Sequence, residues 1–97
     1  MELNIPEKYR RDIEKATSVL KAAGCKTIYL FGSLVTGTMH QNSDIDIGVK
    51  GLPAENFLKV YSELYMSLDN KVELVDFDYD DQFFSLLKKI GELAEIG

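Results

Sequence analysis

Two aspartates one residue apart are the residues of this chain whose types and spacing suggest chemistry. Asp44 and Asp46 lie in the segment DIDIGV, where acidic and apolar residues alternate as in a β-strand. On a strand both carboxylates project to one side, with Cα atoms roughly 6.5–7 Å apart. Such a pair can share one Mg²⁺ or bracket two ions about 3.5–4 Å apart, as in two-metal phosphoryl transfer. The alternative for an isolated Asp-x-Asp is a solvated surface pair.

A glycine and a serine upstream favour the functional interpretation. Gly32 and Ser33 directly follow KTIYLF, whose β-branched and aromatic residues predict a strand over 26–31. A glycine lets the backbone approach a phosphate, and exposed N–H groups with a hydroxyl can hold its oxygens. A simple turn at Gly32 and a helix N-cap at Ser33 are the structural alternatives, and both are compatible with phosphate binding.

The rest of the pattern predicts the elements that position these residues. Residues 6–23 form an amphipathic helix, 33–43 a polar connection, 44–49 a strand, 71–77 another strand, and Pro53 begins a helix. A last helix is capped by Asp80 or Asp81. The order α-β-β-α-β-α predicts an α/β (α+β) fold, with a mixed sheet of three or more strands flanked by helices.

The helix that begins at Pro53 carries more apolar residues than one stripe needs. Its core side is predicted to run through Phe57, Tyr61, Leu64 and Leu68. Tyr61 and Tyr65, with Met66 nearby, could form a surface for a partner, but their helical spacing favours packing in the core.

Length and charge limit the classes of function. The 97 residues predict a single domain, 1–97, and any further lobe is expected on another chain. The net charge of −5, with basic residues densest at Lys8, Arg10 and Arg11, argues against extended nucleic-acid binding. One cysteine, Cys25, fits a reducing cytoplasm. No signal peptide and no membrane span are predicted.

The spacing of these residues resembles a known signature. Gly32-Ser33, ten residues and then Asp44-Ile45-Asp46 reproduce the GSx10DxD pattern of the DNA polymerase β-like nucleotidyltransferase superfamily. The longer sequence GSLVTGTMHQNSDIDIGV, with Gly37 and Ser43, is similar to that of the minimal nucleotidyltransferases. The resemblance implies the polymerase-β-like core, and it covers nearly the whole chain.

The resemblance also implies a third acid on the next strand. In VELVD that position is taken by Glu73, where the family usually has aspartate. Glutamate can still bind Mg²⁺ or accept a proton from the attacking hydroxyl. Asp76 is the fallback, although on a regular strand it faces the other way.

The family pattern implies a reaction and a partner. Asp44, Asp46 and Glu73 would be catalytic and hold two Mg²⁺ ions, while Gly32, Ser33 and Ser43 would bind ATP or another NTP. NMP, most simply AMP, would pass to a hydroxyl on a partner protein of the HEPN type, as in HEPN/MNT toxin–antitoxin pairs, and a homo-oligomer is compatible with the resemblance. The alternative is a weakly active or inactive nucleotide-binding module that neutralises its partner by docking.

Two other features of the sequence do not form functional motifs. The spacing of Gly32 and Gly37 imitates a Walker A loop, but Thr38 and Met39 follow where Lys and Ser or Thr are needed. His40 is the only histidine, so a zinc site is not expected.

Overall fold

The computed structural model describes residues 5–37 and 44–97. Helices and strands alternate along these two ranges, and the sheet lies between helical layers. In chain order the elements are α1 (Glu7–Ala22), β1 (Thr27–Phe31), α2 (Ser33–Thr36), β2 (Ile45–Lys50), α3 (Ala54–Ser67), β3 (Val72–Asp76), α4 (Asp81–Ile90) and β4 (Leu93–Glu95).

The four strands form one mixed sheet in the order β3-β2-β1-β4. Strand β1 runs antiparallel to β2 and to β4, whereas β2 and β3 are parallel. The predicted fold class is therefore confirmed, and the predicted helices and strands agree with the observed ones to within one or two residues at most ends. The β2–β3 connection is the crossover through α3 that parallel strands require.

Two short elements depart from the predicted order. The first turn of the segment expected to be a polar connection, 33–43, is the helix α2, and the chain continues after α4 into β4. Gly32 and Gly37, both at positive φ, bracket α2. A helix of four residues and a strand of three are too short to show a hydrophobic period, so the sequence pattern missed both.

Each face of the sheet has its own apolar cluster. On one face α1 and α3 cover a core that includes Leu20, Ile47 and Leu64. On the other face α4 covers a cluster built around Phe31 and Phe77. Gly48 of β2 lies under the Phe77 ring so closely that a Cβ there would collide with it. The missing side chain therefore lets the aromatic cluster pack directly on the sheet.

A buried acid joins α1 to the connection that precedes β3. Asp12 is 3% exposed. Its carboxylate accepts hydrogen bonds from the backbone N–H groups of Asp69 and Asn70 and from the Asn70 side-chain amide. Since buried carboxylates are costly unless their oxygens are paired, these bonds fix the start of β3 against α1.

The outer side of α3 corrects one prediction. Val60 and Leu64 are buried in the core, but Tyr65 and Met66 are 68% and 84% exposed. Core packing of Tyr65 and Met66 is therefore wrong. Residues one position apart on a helix point about 100° from each other, so Tyr65 and Met66 point away from the side that Leu64 buries. Neither of the two described ranges contains a helix that is long and apolar enough to cross a membrane.

Candidate active site

Asp46 lies on the inner strand β2 and is paired with one residue on each neighbouring strand. In the antiparallel pair β1–β2 it is opposite Phe31, and in the parallel pair β2–β3 it is beside Glu73. Asp46 and Glu73 therefore project from neighbouring strands on the same face of the sheet, the face that α4 covers further along. This register places Glu73 beside Asp46, and a shared role of Asp44, Asp46 and Glu73 stays a prediction.

Gly32 packs directly against the Asp46 carboxylate. A Cβ at Gly32 would collide with Oδ2 of Asp46. The backbone of Gly32 has φ 73° and ψ −148°, a region that is essentially restricted to glycine. Glycine is thus required here twice, for the conformation of the turn and for the space that the carboxylate fills.

Ser33 follows as the first residue of α2. The N-cap of α2 is Gly32, so the alternative that Ser33 is a helix N-cap is wrong. The Gly32 carbonyl accepts hydrogen bonds from Val35 and Thr36 N–H, which closes the turn. Both Gly32 and Ser33 are half-buried at the edge of the acidic site, on the side where the sequence predicts a phosphate.

Asp46 has a strongly raised pKa. Burial, followed by the negative charges of Glu73 and Asp44, raises the pKa of Asp46 from 3.8 to about 6. A side-chain hydrogen bond with Glu73 also raises this pKa, because it requires one of the two carboxyl groups to keep a proton. Glu73 itself is exposed, whereas Asp46 is half-buried. Neighbouring carboxyl groups can instead share a cation, which relieves the repulsion between their charges.

The donor set fits a divalent cation in its chemistry. Hard ions such as Mg²⁺ prefer carboxylate oxygens, and Asp46 and Glu73 already converge. Within residues 5–37 and 44–97, no three His, Cys, Asp or Glu side chains are close enough together to form a metal-binding group. Asp44 is half-buried and precedes β2, which begins at Ile45, so it influences Asp46 through charge without lying on the strand.

The other predicted residues divide into two groups. Ser43 and His40 lie outside the described residues. Asp76 is beside Val49 in the sheet, and its Oδ1 accepts a hydrogen bond from Asp78 N–H. It is three residues from Glu73, so it points to the opposite face and is not part of the acidic group.

Sequence reasoning missed two residues that support the site. Phe31 pairs with Asp46, and its ring packs against Phe77 and Phe83 at centroid distances of 5.6 and 5.4 Å. Strand register could not be read from the sequence. Asp12 sets the start of the Glu73 strand, and its position between Tyr9 and Ala16 on the apolar stripe of α1 was a usable signal of burial.

A mixed sheet that places carboxylates of two neighbouring strands beside a glycine turn has the donor groups that a domain acting on nucleotide phosphates needs. Comparison with protein families agrees with this class. The model of the family described as "Polymerase beta, Nucleotidyltransferase" matches residues 14–92, so the chain belongs to that family.

The chain is also similar to individual proteins. It is 46% identical over 52 residues to the protein adenylyltransferase MntA of Shewanella oneidensis, in an alignment that covers 50% of this chain and only 37% of that protein. A crystal structure of a toxin–antitoxin with AMP-PNP superposes with a TM-score of 0.55 at 35% identity, over 75% of this chain and 59% of the other. A mutant MntA–HpeT toxin–antitoxin structure gives a TM-score of 0.67 at 27% identity, over 88% and 71%.

Proposed function

We propose that residues 1–97 form one Mg²⁺-dependent nucleotidyltransferase domain that transfers AMP from ATP to a hydroxyl group of a partner protein. The similarity to a protein adenylyltransferase supports the AMP group and the protein acceptor. The similarity to a toxin–antitoxin with AMP-PNP supports an adenine nucleotide and a toxin partner, for which a HEPN-type protein is the choice that the sequence motif favours. The chain would act as the antitoxin, in the cytoplasm.

The convergence on Asp46 is the observation that carries the proposal. Gly32 lies against one side of this carboxylate, and Glu73 lies beside Asp46 on the neighbouring strand and raises its pKa through its charge. A surface acid needs neither neighbour, and the charge repulsion among Asp44, Asp46 and Glu73 weakens the fold unless it is compensated. Such costs are typical of functional sites.

The residues of the site divide the proposed chemistry among metal binding, phosphate binding and proton transfer. Asp44, Asp46 and Glu73 would hold Mg²⁺, which, when bound, neutralises the charge that develops on the triphosphate. The backbone N–H groups beside Gly32, with the Ser33 and Ser43 hydroxyls, would orient the phosphate oxygens. The exposed Glu73 carboxylate would accept the proton of the acceptor hydroxyl as it attacks the α-phosphorus, and the bond from that phosphorus to pyrophosphate would break.

A docking module that has lost catalysis is the second candidate. It is favoured by glutamate, rather than the family's usual aspartate, at the third acidic position. In that case the acids would contribute little beyond binding a nucleotide.

Labelled ATP separates the two candidates. The chain would be incubated with Mg²⁺, the protein encoded by the adjacent gene, and ATP labelled either in the α- or in the γ-phosphate. Transfer of the α-label alone, abolished in Asp44→Asn and in Asp46→Asn, supports the enzyme. Inhibition of the partner that is unchanged in the double variant, with no label transferred, would establish docking instead.

A further inference from the structure

One side of α3 carries apolar residues that the core does not use. A shallow groove on this side is lined by residues at steps of three or four positions, about one helical turn, here called the α3 stripe: Leu58, Tyr61, Ser62, Tyr65 and Met66. Leu58, Tyr65 and Met66 are 76%, 68% and 84% exposed. The stripe contains no charged residue, although 28% of the chain is charged.

Helix α3 is therefore apolar on two sides. Its inner side buries Val60 and Leu64 in the core. A helix that is apolar over most of its circumference is normally covered on both sides, because exposed clusters of large apolar residues mark interaction sites. The α3 stripe thus has the character of an interaction surface.

The stripe continues to the strand that carries Glu73. The Tyr61 ring packs edge-on against Phe57, with centroids 6.0 Å apart. Phe57 in turn lines a second groove with Leu74 and Val75 of β3 and with Tyr79, which is 91% exposed. Since β3 is an edge strand of the sheet, the stripe and this second groove form a continuous surface that reaches the exposed edge of the sheet.

The charges around this surface indicate what covers it. Beside Tyr79 the chain carries Asp76, Asp78, Asp80 and Asp81, and the net charge of the whole chain is −5. A second copy would bring the same negative charge. The complementary occupant is a different protein, with an apolar face bordered by basic residues.

We propose that the α3 stripe and the adjoining β3 edge are the docking surface for the AMP-accepting partner protein, which covers the stripe with an apolar helix and places basic residues against the Asp76–Asp81 end. The identity of this partner as the AMP acceptor rests on the proposed function. The docking itself does not depend on catalysis.

Binding measurements with charged substitutions test this surface. The purified protein encoded by the adjacent gene would be titrated into the wild-type chain, into Leu58→Glu and into Met66→Glu. Because each variant places a charge in an apolar contact, we expect the Kd to rise by about 30-fold or more. The matched controls are Leu86→Glu and Ile90→Glu on α4, which are 52% and 51% exposed and should leave the Kd unchanged. Circular dichroism confirms that each variant is folded.

Each contrary outcome identifies a different error. The proposal would be overturned if both stripe variants bound the partner with the wild-type Kd, or if the α4 controls lost as much affinity as the stripe variants. It would also be overturned if the protein encoded by the adjacent gene did not bind the wild-type chain. A wild-type chain that sediments as a dimer, and becomes monomeric in Leu58→Glu, would show that a second copy covers the stripe. Asp44→Asn with Asp46→Asn should bind the partner as the wild type does. If binding follows the predicted pattern but no AMP is transferred, the docking surface stands and the proposed function fails.

Discussion

The close packing of Gly32 against Asp46 makes a quantitative prediction for Gly32→Ala. The substitution forces an L-residue into a backbone region that is essentially reserved for glycine, which costs about 1–3 kcal/mol. The new Cβ must also displace the Asp46 carboxylate. We therefore expect a loss of at least about 2 kcal/mol of unfolding free energy, or roughly 8–16 °C in the melting temperature of a domain of this size.

Gly37→Ala provides the matched control. Gly37 has φ 79° and ψ 12°, and a Cβ there would meet nothing within 4 Å. The cost is only that of the left-handed conformation, about 1 kcal/mol, or roughly 4–8 °C.

The two variants should differ even more in activity than in stability. Displacement of a metal-binding carboxylate by about 1 Å is enough to reduce the rate of transfer about 100-fold. Transfer of labelled AMP should therefore be lost in Gly32→Ala and retained in Gly37→Ala, measured at a temperature where both are folded. Equal melting temperatures and equal activities in the two variants would refute the claim that Gly32 positions Asp46.

Three further predictions concern the acids. Asp12→Ala should lower the unfolding free energy by about 2–4 kcal/mol in chemical denaturation, because three donors of Asp69 and Asn70 lose their acceptor, whereas Asp81→Ala on the surface should cost under about 1 kcal/mol. Without Mg²⁺, the raised pKa of Asp46 means that the folded state binds a proton on this group more tightly than the unfolded state does. The contribution of Asp46 to the unfolding free energy should therefore be lost as the pH rises from about 4 to about 6, by about 1–2 kcal/mol after allowance for solvent screening. Asp46→Asn or saturating Mg²⁺ should flatten that part of the profile in thermal melts, and an unchanged slope would contradict the assignment. Glu73→Gln should reduce AMP transfer about 100-fold or more, whereas Glu73→Asp should retain a substantial part of it; equal rates in wild type and Glu73→Gln would exclude Glu73 from the reaction.

The sequence predicted the elements that have a clear hydrophobic period. The apolar stripe of α1 and the alternation in DIDIGV were long enough to show their period, and the corresponding helix and strand were confirmed. The helix α2 and the strand β4 were missed because four and three residues cannot display a period. Helix α3 is long enough to show a hydrophobic period, but the period did not tell which apolar residues are buried. Tyr65 and Met66 have the spacing of core residues, yet they are exposed because only one side of a helix can face the sheet.

The sequence predicted residue types for the candidate site but not their geometry. A glycine followed by a pair of acids at a fixed spacing predicted which residues form the site, and that assignment stays a prediction. The contact between Gly32 and Asp46 depends on the register that pairs Phe31 with Asp46, and the position of Glu73 depends on the register between β2 and β3. Strand registers depend on packing across the whole sheet, including the contact between Gly48 and Phe77. They could therefore not be predicted from the residue pattern of single strands.

The central claim is that Asp44, Asp46 and Glu73 catalyse the transfer of AMP to a protein. Intact-mass spectrometry of the partner after incubation with this chain, ATP and Mg²⁺, combined with a pyrophosphate assay, tests it most directly. We expect a mass increase by whole AMP groups, one pyrophosphate for each group added, and neither product with Asp46→Asn. A partner of unchanged mass that is nevertheless inhibited, or AMP addition that persists in Asp46→Asn, would contradict it.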